Sequence, residues 1–255
     1  MGKKSGFLRN ILFILLVWGS CVSWAQEKEQ KEEECFKRRK PGIFRLYTGL
    51  SAPDEDSPTK FDRFNTAFFW NSWIGDINGT RTKFYAIGHD INLMFDVPFG
   101  KKSPVGIGIG AGYSHFNIRN NGAFSFIDDP SGSGQFSYLT TYTGPKRWIN
   151  RTVFNFVDVP FELRFRTRRE RGKFKFYPGF KASFMVEDYI KWRIKSDEYK
   201  EFNFPDLRRL HYGPTLRIGV DNIMLWAYYD MVTLFKNSNS NKLQLFGAGI
   251  SIGWF

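Results

Sequence analysis

The sequence predicts an all-β fold, an antiparallel transmembrane β-barrel most simply built from eight strands. Three observations predict it. After residue 25 no run of about 18 apolar residues occurs, the length a membrane-crossing helix needs. Apolar and polar residues instead alternate with a period of two over successive segments, the signature of strands with two unlike faces. The polar face carries ionised side chains at mid-strand, in a number that the core of a soluble sandwich would not tolerate. A mean hydropathy of −0.38 agrees, because every second residue of a barrel strand faces a polar interior.

The N-terminal residues read as an export signal. Lys3, Lys4 and Arg9 precede a short apolar stretch from Ile11 to Trp18, and Ser23 and Ala25 set small residues before a cleavage point at Gln26. Residues 1–25 are therefore expected to be a removed signal peptide. Gly19 and Ser20 before Cys21 suit lipid attachment, but Trp18 stands where a Leu is expected. Removal takes away three basic and no acidic side chains, lowering the formal net charge from +12 to +9. Residues 26–42 form a charged periplasmic leader, with Glu27, Glu29 and Glu32–Glu34 ahead of a basic run from Lys37 to Lys40. Only Cys35 remains in the mature chain, so no internal disulfide can form. In an exported protein the basic excess points to anionic lipid such as lipopolysaccharide, and not to nucleic acid.

Residues 43–255 are assigned to the barrel, with strands at about 64–75, 82–97, 105–118, 151–167, 173–194, 207–220, 222–235 and 242–255. In 82–97, Tyr85, Ile87, Ile91, Leu93, Phe95 and Val97 oppose Asp90, Asn92 and Asp96. In 105–118, Val105, Ile107, Ile109, Ala111 and Tyr113 alternate with Gly106, Gly108, Gly110 and Gly112. Glycine weakens an isolated strand, so a bare face needs a reason: room for large side chains from opposite strands of a narrow barrel. In 151–167, Val153, Val157, Val159, Phe161, Leu163 and Phe165 oppose Asp158, Glu162, Arg164 and Arg166, and Pro160 predicts a bulge. Lys175, Lys181 and Glu187 oppose the apolar face of 173–194, Arg217 that of 207–220, and Asp230 that of 222–235. Residues 43–51 are a candidate ninth strand; a further one near 135–143 would then make ten.

Connections fix the orientation. Gly100–Pro104, Arg168–Gly172 and Asp221-Asn222 are tight, whereas 120–150 and 195–206 are long and rich in Gly, Asn, Asp and Ser. Outer-membrane barrels have short periplasmic turns and longer external loops, so eight strands put both termini in the periplasm. Phe68, Trp70, Phe95, Phe165 and Trp254 are expected in aromatic belts at the membrane interfaces. Ile250, Ile252 and Trp254, followed by Phe255, read as the C-terminal signal that barrel-assembly machinery recognises, with Phe255 one step out of phase.

Asp90, Asp96, Asp158, Glu162, Arg164, Arg166, Lys181, Glu187, Arg217 and Asp230 are expected to face the lumen as a mutually neutralising charge network. An eight-stranded barrel is just wide enough for side chains to fill. The histidines are His89, His115 and His211, and no Ser–His–acid or paired-Asp constellation can be drawn from the pattern. No enzyme activity, metal or cofactor is expected.

Most of residues 61–255 resembles the PorT family of outer-membrane barrel proteins. The resemblance rests on Phe61-Asp62-Arg63-Phe64 with Trp70-Asn71-Ser72-Trp73, on the run from Val157 to Arg166, and on Tyr212-Gly213-Pro214-Thr215-Leu216-Arg217-Ile218-Gly219 followed by Leu234-Phe235. It implies an integral outer-membrane protein that acts as an accessory or assembly component of type IX secretion, the export route for proteases and adhesins bearing a C-terminal sorting domain. Partners would then include other components of that system. The competing expectation is a small transport or binding barrel unrelated to secretion.

Overall fold

The structure is a computed structural model that describes residues 63–99, 103–128, 132, 134–167, 173–202 and 204–254. The signal peptide, the leader, the segment 43–51 and Phe255 lie outside the described residues. So do Phe61-Asp62, residues 100–102 of the tight turn at Gly100–Pro104, and the whole of the turn at Arg168–Gly172.

The regular elements are strands: β1 Phe64–Gly75, β2 Ile87–Pro98, β3 Val105–Arg119, β4 Gly122–Asp128, β5 Gln135–Thr141, β6 Arg147–Arg166, β7 Phe174–Ile194, β8 Asp197–Phe202, β9 Leu210–Val220, β10 Ile223–Tyr229 and β11 Leu243–Trp254. Eight of them, β1, β2, β3, β6, β7, β9, β10 and β11, pair antiparallel in that order, and β11 returns to β1 to close the barrel. Closure satisfies the backbone of every wall strand and leaves no edge. The expected strands agree with these eight, with four differences at the long-loop end, the first being that β6 starts at Arg147, four residues earlier than expected. Residues 82–86 precede β2 and hold a Thr82–Asn120 bridge without forming strand, residues 207–209 lie ahead of β9 with a bridge from Leu207 to Phe235, and β10 ends at Tyr229. The strand anticipated near 135–143 exists as β5 but pairs with β4 in a separate hairpin, so the wall count stays at eight. The 195–206 connection holds β8, which extends β7 beyond the wall.

Pro160 does not produce the expected bulge: it sits in unbroken register opposite Lys181. The β6–β7 register shifts instead between Asn155↔Glu187 and Phe156↔Met185, which makes Val186 the extra residue on β7. One inserted residue reverses the facing of everything beyond it. Asp188 therefore turns inward, and Glu187 lies exposed on the outer wall.

The glycine face of β3 makes room for side chains of its immediate neighbours β2 and β6, not of opposite strands. A Cβ on Gly108 would lie 2.5 Å from Arg164 Nε, and one on Gly112 1.9 Å from Asn92 Oδ1. Gly108→Val is expected to push Arg164 off its carboxylate partners and to cost about 1–3 kcal/mol, the usual range for overpacking. Urea titration of the barrel followed by tryptophan fluorescence would measure it.

The lumen has two halves. Towards the tight turns it is charged. Towards the long loops it is filled by a buried cluster that includes Phe69, Trp73, Phe116, Phe154, Phe156, Trp226 and Tyr228. The β4–β5 hairpin joins that cluster through Leu139 and is tied down at its rim. Ser137 Oγ donates to Asp206 at 2.5 Å, Asn241 Oδ1 accepts from Leu139 N at 2.5 Å, and Asn78 Nδ2 donates to Leu139 O at 2.9 Å. Aromatic edges complete the join, with Phe124 4.9 Å from Phe204 between ring centres.

Candidate functional site

The polar face of β2, β6, β7 and β9 brings eight of the ten expected lumen residues together, in two groups. In the first, Lys181 Nζ lies 3.0 Å from Asp90 Oδ2, 3.1 Å from Asp158 Oδ2 and 3.4 Å from Ser114 Oγ. Asn92 donates to Asp90, and the ammonium stands 4.6 Å from the centre of the Tyr228 ring. In the second, Asp96 Oδ2 forms an ion pair with Arg164 Nη1 at 3.3 Å and accepts a hydrogen bond from Arg166. Arg164 Nε donates to Glu162 at 3.0 Å, and Arg217 takes the other oxygen of the same carboxylate. Tyr177 sits among the three guanidinia at 5.2, 5.3 and 5.7 Å from its ring centre, and its hydroxyl accepts from Arg166 Nε at 2.6 Å.

All eight side chains are buried or nearly so. Contact between opposite charges at about 4 Å is worth roughly 4 kcal/mol at an effective dielectric of 20. Desolvation costs several kcal/mol per ion, so the two terms largely cancel. The eight residues place four charges of each sign in the lumen, so the network balances its own charge; it is not a store of stability.

The remaining two expected residues stand outside these two groups, Asp230 on the inward face as expected and Glu187 on the outer wall. Glu187 accepts from Asn155 Nδ2 at 2.6 Å on the outer wall, next to His115, whose Nδ1 is 2.6 Å from Asn155 Oδ1. His115 in turn stacks on His89 at 4.9 Å, so both sit on the outward face as the alternation requires. Asp230 follows β10 and pairs with His211, Oδ2 to Nδ1 at 2.6 Å. This dyad was not legible in the sequence, where the two residues are unlinked. The other ring nitrogen of His211 is 2.9 Å from the Arg208 carbonyl, so neither nitrogen is left to take a proton from a substrate. Its role is to hold the 208–211 segment against the wall. Asp188 was missed as well: it accepts from Phe204 N at 2.9 Å and pairs with Arg209 at 3.1 Å.

The outward face is apolar around the whole circumference. It runs through Phe68 on β1, Leu93 and Phe95 on β2, Ile109 on β3, Val157, Val159 and Phe161 on β6, Phe180 and Phe184 on β7, Leu216 on β9, Leu225 on β10 and Ile250 on β11, all exposed. Phe95 is 66% exposed and Leu225 65%. Of the expected interface aromatics, Phe95, Phe165 and Trp254 lie near the tight-turn end. Trp70 lies towards the long-loop end, where Nε1 donates to the Lys83 carbonyl at 3.1 Å, and Phe68 is one outward position below it. In the expected terminal signal, Ile250, Ile252 and Trp254 face outward opposite Phe68, Thr66 and Phe64. Among the described residues no group of three or more His, Cys, Asp or Glu could hold a metal ion, and no helix is long and apolar enough to cross a membrane. No protein-family model matches the chain, and no curated protein is similar to it in sequence.

Proposed function

We propose that the chain is an integral outer-membrane barrel with a closed lumen that serves type IX protein secretion as an accessory or assembly component. One observation carries the membrane reading. A closed eight-stranded barrel exposes an unbroken apolar belt while carboxylates and guanidinia occupy its interior. In water that arrangement is inverted, and an exposed apolar patch beyond a few hundred Å² needs a covering partner. Lipid covers all sides at once, and outer-membrane barrels have such an outer band. Long connections at one end and tight turns at the other support external loops and periplasmic termini.

The secretion role rests on the resemblance in Trp70–Trp73, Val157–Arg166 and Tyr212–Gly219, all of which lie in the barrel wall. The filled lumen supports an accessory role, because a translocating polypeptide needs open width that an occupied eight-stranded barrel lacks. Exposed aromatics at the long-loop end, among them Phe84 at 87% and Trp148 at 62%, offer surface for partner proteins.

The membrane reading predicts that the protein stays with membranes through carbonate washing and migrates differently on gels before and after boiling. Release by carbonate would sink it. The secretion role predicts that cargo with the sorting domain accumulates in the periplasm of a deletion strain, and normal cargo release there would end that proposal. Stepwise conductance in planar bilayers would overturn the closed lumen and favour a transport barrel.

A further inference from the structure

The outer wall at the long-loop end carries a row of like charges that the lumen network does not explain. The β3–β6 register sets Arg119 directly opposite Arg151, the β6–β7 register sets Arg151 opposite Lys191, and the β7–β8 register sets Lys191 opposite Lys200. Arg193 follows one outward position beyond Lys191. Directly opposed residues hold their Cβ atoms about 4.5–5.5 Å apart, and like charges so placed destabilise a sheet. Four strands in succession therefore bear an electrostatic cost. The side-chain Nε atoms of Arg119, Arg151 and Arg193 are shielded and donate to no acceptor among the described residues.

Among the described residues Glu198, opposite Arg193, is the carboxylate on the outward face of β8, where Asp197 and Glu201 alternate to the other face. Glu198 pairs with Lys191, and that hydrogen bond, with the charges of Lys191, Arg193 and Arg151, holds its carboxyl below the usual carboxylate range. It neutralises one cation and leaves Arg119, Arg151, Arg193 and Lys200. The row also lies among aromatic faces. Arg119 stands 5.4 Å and Lys83 5.6 Å from the centre of the Tyr85 ring, and Lys200 lies 3.9 Å from that of Tyr189.

Height selects the ligand. The apolar belt ends on this side at Tyr113, Val157 and Phe184, and the next outward row holds His115, Asn155 and Glu187. The basic row is four residues further, about 13 Å along the strand at about 3.3 Å per residue, or roughly 10 Å above the polar row for a typical barrel tilt. A glycerophospholipid headgroup layer is only about 5–8 Å deep per leaflet. Acidic groups carried on a sugar headgroup reach higher.

We propose that Arg119, Arg151, Lys191, Arg193 and Lys200 form a binding site for the phosphates of a phosphorylated glycolipid in the outer leaflet, its acyl chains lying on the belt below. The site rests on the membrane reading above. Phosphate oxygens would supply the acceptors that the guanidinium groups lack and remove the repulsion along the row.

The full chain in uncharged detergent, titrated with phosphorylated lipid A and followed by native mass spectrometry, tests this. Lipid A is expected to be retained at least tenfold better than its dephosphorylated form. The Arg119→Gln/Arg151→Gln/Lys200→Gln variant should lose that preference while keeping its heat-dependent gel shift, and Glu198→Gln, which frees Lys191, should strengthen retention severalfold. Equal retention of the two lipid A forms overturns the site without need of any variant. So does equally good binding of phosphatidylglycerol or of inorganic phosphate. Loss of the gel shift in the unaltered protein would instead strike the membrane reading, so the two failures are distinguishable.

Discussion

Lys181→Met is expected to lower the folding free energy by about 3–5 kcal/mol, the cost of leaving buried charge without its partner. The wild-type ammonium lies 3.0 Å from Asp90 and 3.1 Å from Asp158 and is itself almost fully enclosed. Methionine preserves most of the volume, so the loss reports charge more than packing. Two carboxylates would then face each other across a gap with neutral donors such as Asn92, Ser114 and Ser183 nearby. The check is a cycle of variants: with Asp90→Asn and Asp158→Asn added, at least half of the lost stability should return, since a neutral hydrogen-bonded group is far cheaper to bury than an ion. Urea-dependent folding into vesicles measures each corner. A single variant within about 0.5 kcal/mol of wild type, the size of an ordinary surface change, would mean that water reaches Lys181 and that the lumen is open.

What the sequence revealed of this arrangement follows from the period of a strand. Alternation in β2, β6 and β9 separated Asp90, Asp158, Glu162 and Arg217 from their apolar neighbours, because register and facing are linked wherever the chain is regular. The same logic failed at Glu187, where one extra residue at Val186 reversed the facing, and nothing in the local composition marks that bulge. Pro160 attracted the expectation of a bulge because it lacks a donor, yet the ladder absorbed that loss without a shift. The aromatic half of the lumen was missed for a different reason. Phe154 and Phe156 share parity with Asp158, so an inward face taken as uniformly polar left no place for them. An interior that changes from charged to aromatic along a single strand cannot be read from two-state patterning. Of the β4–β5 hairpin only the strand near 135–143 was anticipated; its partner β4 precedes a Gly- and Ser-rich stretch, and the attachment through Ser137 to Asp206 and Ser240 joins residues far apart in the chain. The His211–Asp230 pair depends on the β9–β10 register together with the turn after Tyr229, neither of which has a signature of its own.

A lipid-facing position separates the membrane reading from a water-exposed barrel by magnitude alone. Val159 is on the outer face of β6, 53% exposed, opposite the small Ala182. Arginine fits there without a clash, so Val159→Arg changes solvation and little else. On a surface bathed in water such a change falls within about ±0.5 kcal/mol. Near the middle of a hydrocarbon layer it costs about 2–4 kcal/mol, and close to the interface only about 0–1. Val159 is seven residues from the tight-turn end of β6 and one outward position inside the belt's other limit at Val157, whereas Val97 on β2 is one residue from the end of its strand and is similarly exposed. Val159→Arg is therefore expected to destabilise the barrel in vesicles by about 1–3 kcal/mol, between the interfacial and central ranges, while Val97→Arg stays near zero, an ordering set by depth and by nothing in the side-chain contacts. Equal and small effects at both positions would mean that water, not lipid, covers the belt, and the orientation and lipid site proposed above would fall with it.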